Sequence, residues 1–337
     1  MEREHSIDVA KGVLMCAVIW GHLGYHSQRL LERSHGISFY YAQFEISNWL
    51  YQPYYMCAFF FISGMFDRMF LIKDIWKSAK ALFTLCIVAR LVTGILPSLI
   101  TGELQNIPSI FFANFSWFIV ALFWIKVISL FFNKLTNRLT KMTFEIKKIK
   151  YFCLLSALVL HVVGLYLVKS NQSYYYCGEG LFFFIYYFSG RFHELYKKYS
   201  ISFLFCVYFS SVAICRLIGT LPNLQGNLSV TYTQLPFELL MGLSGSLLLI
   251  GIIKHFGRCK LLEIIGRRSL ALCVLASIIQ CFFIKQFGPF FCEKLNSCGY
   301  IIELFWFFLN FVLPIVIILM ICKLLDRKYL RWVLGKW

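Results

Sequence analysis

Long apolar runs recur along the whole chain, separated by short polar loops. Ten of them are long enough to cross about 30 Å of hydrocarbon. They cover 6–24, 48–66, 79–99, 109–132, 150–168, 179–196, 201–219, 234–254, 268–286 and 300–324. The pattern predicts an all-α, polytopic integral membrane protein, a single bundle of about ten transmembrane helices over 1–337. The longest loops run to roughly two dozen residues, too short for a separate soluble domain. The second span starts on Tyr51, Gln52, Pro53, Tyr54 and Tyr55, so it enters through a kink or an interfacial segment.

Charge refines this picture. Charged residues make up 15% of the chain and hydrophobic ones 59%, whereas soluble domains carry about 25% charged residues. The net charge of +17 therefore reports topology rather than nucleic-acid binding. Alternate loops hold Arg68, Lys73 and Lys77; Lys134, Arg138, Lys141, Lys147 and Lys148; Arg191, Lys197 and Lys198; and Lys254, Arg258, Lys260 and Arg267. The intervening loops hold few basic residues. Basic residues gather on the cytoplasmic side, so both termini are expected there, in a multi-pass protein of the cell (plasma or inner) membrane. The 13 cysteines are scattered and form no C-x-x-C pair. Most lie in apolar runs, where a thiol behaves as a small hydrophobe. Cys292 and Cys298 share a predicted loop and could pair. No His/Cys/Asp cluster has ligand spacing, so no metal is expected.

Chemistry concentrates in the first span, SIDVAKGVLMCAVIWGH at 6–22. Asp8, Lys11 and His22 are polar where a span needs none. At about 100° per residue, Lys11 and His22 return to within roughly 20° of each other, and Asp8 lies within roughly 60° of Lys11. Lysine and histidine are then about 16 Å apart along one face. Ionisable groups on one face of a span look into protein or water rather than lipid. The plainer alternative is an Asp8–Lys11 pair at the helix entrance with His22 in the interface.

Four segments, in order, resemble the integral-membrane acyltransferase-3 family, in the branch similar to fucose O-acetylases and cell-surface polysaccharide O-acetyltransferases. They are ID-x-x-KG…GH on Ile7, Asp8, Lys11, Gly12, Gly21 and His22; FFFISG at Phe59–Gly64; WFIVALF at Trp117–Phe123; and IIGRRSLALCVLAS at Ile264–Ser277. Two positions depart from the family pattern. Cys57 stands where proline often precedes FFFISG, and Ala276 stands where a second histidine often closes the late segment.

The resemblance implies an acetyl-CoA-dependent O-acyltransferase (transferring groups other than aminoacyl) that acts on a hydroxyl of a cell-envelope glycan or lipid-linked sugar. Such transfer needs a base for the hydroxyl proton and a partner for a phosphorylated donor. His22 is expected to be the general base or acyl carrier. Lys11, Arg68 and Arg90 are candidates for holding acetyl-CoA, and Asp8, Trp117 and Ser63 for lining the site. Arg68 is equally a positive-inside residue, Arg90 a member of a structural ion pair, and Trp117 an interface anchor. Glu179 and Glu238 could pair with Arg90 or Lys126, a structural role being expected over a catalytic one, and His161 is expected to be a satisfied core histidine. A transporter or flippase of a polar or lipid-linked substrate also suits buried charge, as does a non-catalytic scaffold derived from the enzyme. No matched Gly/Pro breaks favour the transporter.

Overall fold

The computed structural model describes residues 5–31, 49–50, 52–66, 72–95, 116–141, 146–196, 198–224, 228–298, 305–327 and 329–334. Among them all regular structure is helical. The helices are α1 (His5–Leu31), α2 (Tyr55–Met65), α3 (Ile72–Arg90), α4 (Trp117–Lys141), α5 (Ile146–Lys169), α6 (Cys177–Arg191), α7 (Ile201–Ile218), α8 (Leu235–Phe256), α9 (Lys260–Arg267), α10 (Ser269–Cys298) and α11 (Leu313–Leu325). Short π-helical segments follow α3 (Leu91–Ile95) and precede α11 (Phe308–Val312).

Seven helical stretches among the described residues are long and apolar enough to cross a membrane. The predicted second and sixth spans fall on α2 and α6, which have 11 and 15 residues. The second span enters through a turn at Gln52–Tyr54, as its proline and tyrosines suggest. One expectation fails. The residues from Cys292 to Cys298 are helical rather than a loop. Six steps of helix separate their Cα atoms by about 9 Å, beyond the roughly 7 Å a disulfide can bridge.

The chain forms two compact units, one of Met1–Gln52 with Ile253–Lys336 and one of Pro53–Ile252. In the first, α1 lies against α9 at glycine contacts. A Cβ on Gly12 would strike the Leu262 carbonyl, and one on Gly266 would strike the Asp8 carbonyl. Small residues let two helical backbones approach this closely, which is how apolar spans gain packing energy when lipid is as apolar as they are. The ID-x-x-KG and IG-x-x-SL segments are therefore the two halves of one helix contact. Farther along α1, Trp20 packs edge-on against Phe307 and Phe311, with ring centroids 5.3 and 5.8 Å away. Leu23, Phe291, Trp306 and Leu309 close the core there.

In the second unit α6 is apolar all round and buried from Phe182 to Gly190, as befits the centre of a bundle. It meets α2 reciprocally: a Cβ on Gly64 would strike the Tyr187 carbonyl, and one on Gly190 the Phe61 carbonyl. Phe118 of α4 touches Phe59 and Phe60 of α2, and Phe60 stacks on Phe183 of α6 at 4.6 Å. The FFFISG and WFIVALF segments thus meet directly, alongside α6. The outer face of α5 leaves Tyr151, Phe152, Leu155, Val159 and Tyr166 exposed, the surface a lipid-facing helix presents.

Candidate functional site

In the first unit, α1 carries Asp8, Lys11 and His22. Asp8 is buried, while Lys11 and His22 are half-buried. The Asp8 carboxylate accepts from Arg267 Nε at 3.4 Å. This arginine belongs to the Ile264–Ser277 segment and reaches Asp8 because Gly266 lets α9 settle on α1. Around it a charged cluster assembles. The buried Glu263 accepts from Arg267 NH2 one turn along α9, from Arg258 Nε at 3.0 Å, and faces His5 Nδ1 at 2.9 Å. Two carboxylates, Asp8 and Glu263, are thereby neutralised by Arg267 of the late segment and by Arg258 just before α9. Such pairing, with every carboxylate engaged, is what permits charge to remain in an apolar helix interface.

Nearer the His22 end of α1, Gln280 of α10 donates its amide to the carbonyls of Ile19 at 3.0 Å and Asn310 at 2.8 Å. Both Gln280 and Asn310 are fully buried, and among the described residues Gln280 Oε1 and Asn310 Oδ1 have no hydrogen-bond partner. Two polar acceptors, one on α10 and one on the Phe308–Val312 segment, are thus left open, an uncommon arrangement in a packed interior. Ala276, in the position where the family pattern often has histidine, is buried in α10 and brings no titratable group.

The second unit holds Ser63, Arg90 and Trp117. Ser63 donates its hydroxyl to the Phe59 carbonyl one turn back, at 2.8 Å. Trp117, half-buried at the start of α4, packs on Phe118 and Phe183. Arg90 closes α3 where the π-helical turn begins. Arg68 lies outside the described residues.

The same unit contains a polar cluster whose partners differ from those the sequence offered. Glu238 does not pair with Arg90 or Lys126. Its Oε2 lies 3.1 Å from His161 Nε2, its Oε1 accepts the Tyr186 hydroxyl at 2.5 Å, and the Cys57 thiol sits 3.9 Å from the same oxygen. Glu179 instead accepts from the Ser173 hydroxyl, and Lys126 Nζ donates to Ser78 at 3.3 Å. His161 is a satisfied core histidine, with Nδ1 2.6 Å from the Phe182 carbonyl. A carbonyl only accepts, so Nδ1 carries a proton. One further proton is shared between Nε2 and Oε2, and the pair is neutral wherever it resides. Four helices, α2, α5, α6 and α8, are tied by this knot. It is sealed from solvent, so it positions helices rather than meets a substrate. The four side chains come from 57, 161, 186 and 238, a separation no local pattern reports. The only signal was a histidine and a glutamate inside apolar spans.

No curated protein and no solved structure matches the chain. A family model described as an acyltransferase domain matches residues 4–332. That match runs through both units, from the first turn of α1 to the residues beyond α11, and takes in all four segments on which the resemblance rested. The chain belongs to the acyltransferase-3 family of membrane acyltransferases.

Proposed function

We propose that this protein is a membrane O-acyltransferase that moves an acetyl group from acetyl-CoA to a hydroxyl of a cell-envelope glycan or lipid-linked sugar. The observation that carries the reading is α1 itself. Within a chain matched to the family along nearly its whole length, one helix presents Lys11 and His22 eleven residues apart on one face, while Asp8 is drawn aside to Arg267. Lys11 then serves the donor phosphates, and the roughly 16 Å to His22 suits a pantetheine-sized arm. Arg68 and Arg90 remain further candidates for the donor, and Asp8, Ser63 and Trp117 for lining the site.

His22 takes the acceptor hydroxyl proton as the oxygen attacks the thioester carbonyl. The C–O bond forms, the C–S bond breaks, and the imidazolium returns its proton to the departing thiolate. An acyl-histidine intermediate is the two-step version of the same exchange. On this reading the donor enters from the cytoplasm and the acceptor from the outer face. The test is transfer of radiolabelled acetyl from acetyl-CoA to membrane glycans by purified protein in nanodiscs, for wild type and His22→Ala. Transfer by wild type and its loss in the variant, with donor binding retained, supports the reading. Equal turnover by both refutes the role of His22.

A further inference from the structure

The charged cluster on α9 has more arginine than its carboxylates use. Glu263 spends both oxygens: Oε1 on Arg267 and His5, Oε2 on Arg258 Nε. Arg267 spends Nε on Asp8 and NH2 on Glu263. Arg258 is different. Among the described residues its partner is Glu263, bound through Nε, and its side chain is 55% exposed. A guanidinium held at Nε by a buried carboxylate has its plane fixed, and its two terminal nitrogens point away from the anchor as a fork. That fork matches two oxygens of a phosphate, with less rotamer freedom left to lose on binding than a lone surface arginine.

Position adds to this. The cluster flanks the first turns of α1, where Gly12 and Gly266 bring α9 against the backbone beside Lys11. The stretch from 254 to 268 carries Lys254, Arg258, Lys260, Arg267 and Arg268 against a single acidic residue, Glu263. Asp8 and Asp326 offset Arg267 and Arg268, and the cations left over still exceed the carboxylates of this stretch, so a polyanion would be attracted to it.

We infer that Arg258, oriented by Glu263 and supported by Arg267, is a phosphate fork that grips the nucleotide end of the acyl donor, a 3′-phosphorylated nucleoside diphosphate thioester. This rests on the acyl-donor reading above and adds to it residues outside α1. Arg258 is a binding residue, and Glu263 acts through it.

The experiment is calorimetry of coenzyme A binding to full-length protein in phosphatidylcholine nanodiscs, for wild type, Arg258→Gln and Arg258→Lys. Removing a charge-assisted bidentate contact is expected to weaken binding about tenfold or more. Arg258→Lys, which keeps the charge and loses the fork, is expected to fall between. The melting temperature without ligand is expected to fall only slightly, because Arg267 and His5 still engage Glu263. If wild type binds coenzyme A and Arg258→Gln binds it equally well, the fork is overturned while the enzyme reading stands. If wild type binds no coenzyme A, both fall. A second arm replaces part of the phosphatidylcholine with phosphatidylglycerol. Stabilisation by that lipid that needs Arg258, with coenzyme A affinity unchanged in Arg258→Gln, would make the fork a lipid headgroup site and overturn the proposal.

Discussion

Replacing Glu238 tests the knot that ties α2, α5, α6 and α8. Because Nδ1 of His161 donates to the Phe182 carbonyl, the His161–Glu238 pair shares one further proton between Nε2 and Oε2 and carries no net charge. Glutamine can therefore stand in. Its carbonyl accepts from Tyr186, as Oε1 does at 2.5 Å, and its amide donates to Nε2, which sits 3.1 Å from Oε2. Alanine removes the carboxylate from Nε2, the Tyr186 hydroxyl and the Cys57 thiol at once, leaving the hydroxyl only the long contact to the Glu238 backbone carbonyl at 3.4 Å. Three average transmembrane hydrogen bonds at about 0.6 kcal/mol each set a lower bound near 2 kcal/mol. A broken buried pair sets an upper range of about 3–5 kcal/mol. For a unit of this size, about 2 °C or more of melting temperature goes with each kcal/mol. Glu238→Ala is thus expected to melt at least about 4 °C lower, and Glu238→Gln within about 2 °C of wild type. The assay is thermal unfolding in detergent, followed by tryptophan fluorescence and by recovery on size exclusion. A Glu238→Gln protein as unstable as Glu238→Ala would show that a negative charge is required, and the neutral-pair reasoning would be refuted.

Other outcomes follow from the same geometry. Gly64→Ala places a Cβ on the Tyr187 backbone and is expected to cost about 1–3 kcal/mol by overpacking; wild-type thermal stability would mean that α2 and α6 do not pack this closely. His22→Ala is expected to lose at least about 100-fold in acetyl transfer, the low end of general-base effects, with expression and membrane insertion intact by immunoblot of membranes. Lys11→Ala is expected to raise the acetyl-CoA Kd several-fold while turnover at saturating donor changes less. An unchanged Kd in the folded variant would leave Lys11 a structural cation. Arg267→Gln leaves Asp8 without the 3.4 Å partner at Nε and is expected to lower the melting temperature more than Arg258→Gln, whose exposed side chain anchors only one contact of Glu263.

Periodicity and composition carried the fold class. Runs of apolar residues near membrane length, with charge confined between them, force helices because no other open structure satisfies its backbone in hydrocarbon. Among the described residues each predicted span overlaps a helix, and the four segments that resemble the acyltransferase-3 family lie in the part of the chain the family model covers. The face shared by Asp8, Lys11 and His22 also follows from helical spacing alone. Tertiary structure decided who meets whom. Asp8 is ion-paired to Arg267, 259 positions away, and Glu238 chose His161 over Arg90 or Lys126. Those choices were hidden because spacing along a helix fixes only a residue's own face. Partner identity depends on which backbones can approach, and glycines such as Gly12, Gly64, Gly190 and Gly266 set that where a Cβ would strike a carbonyl.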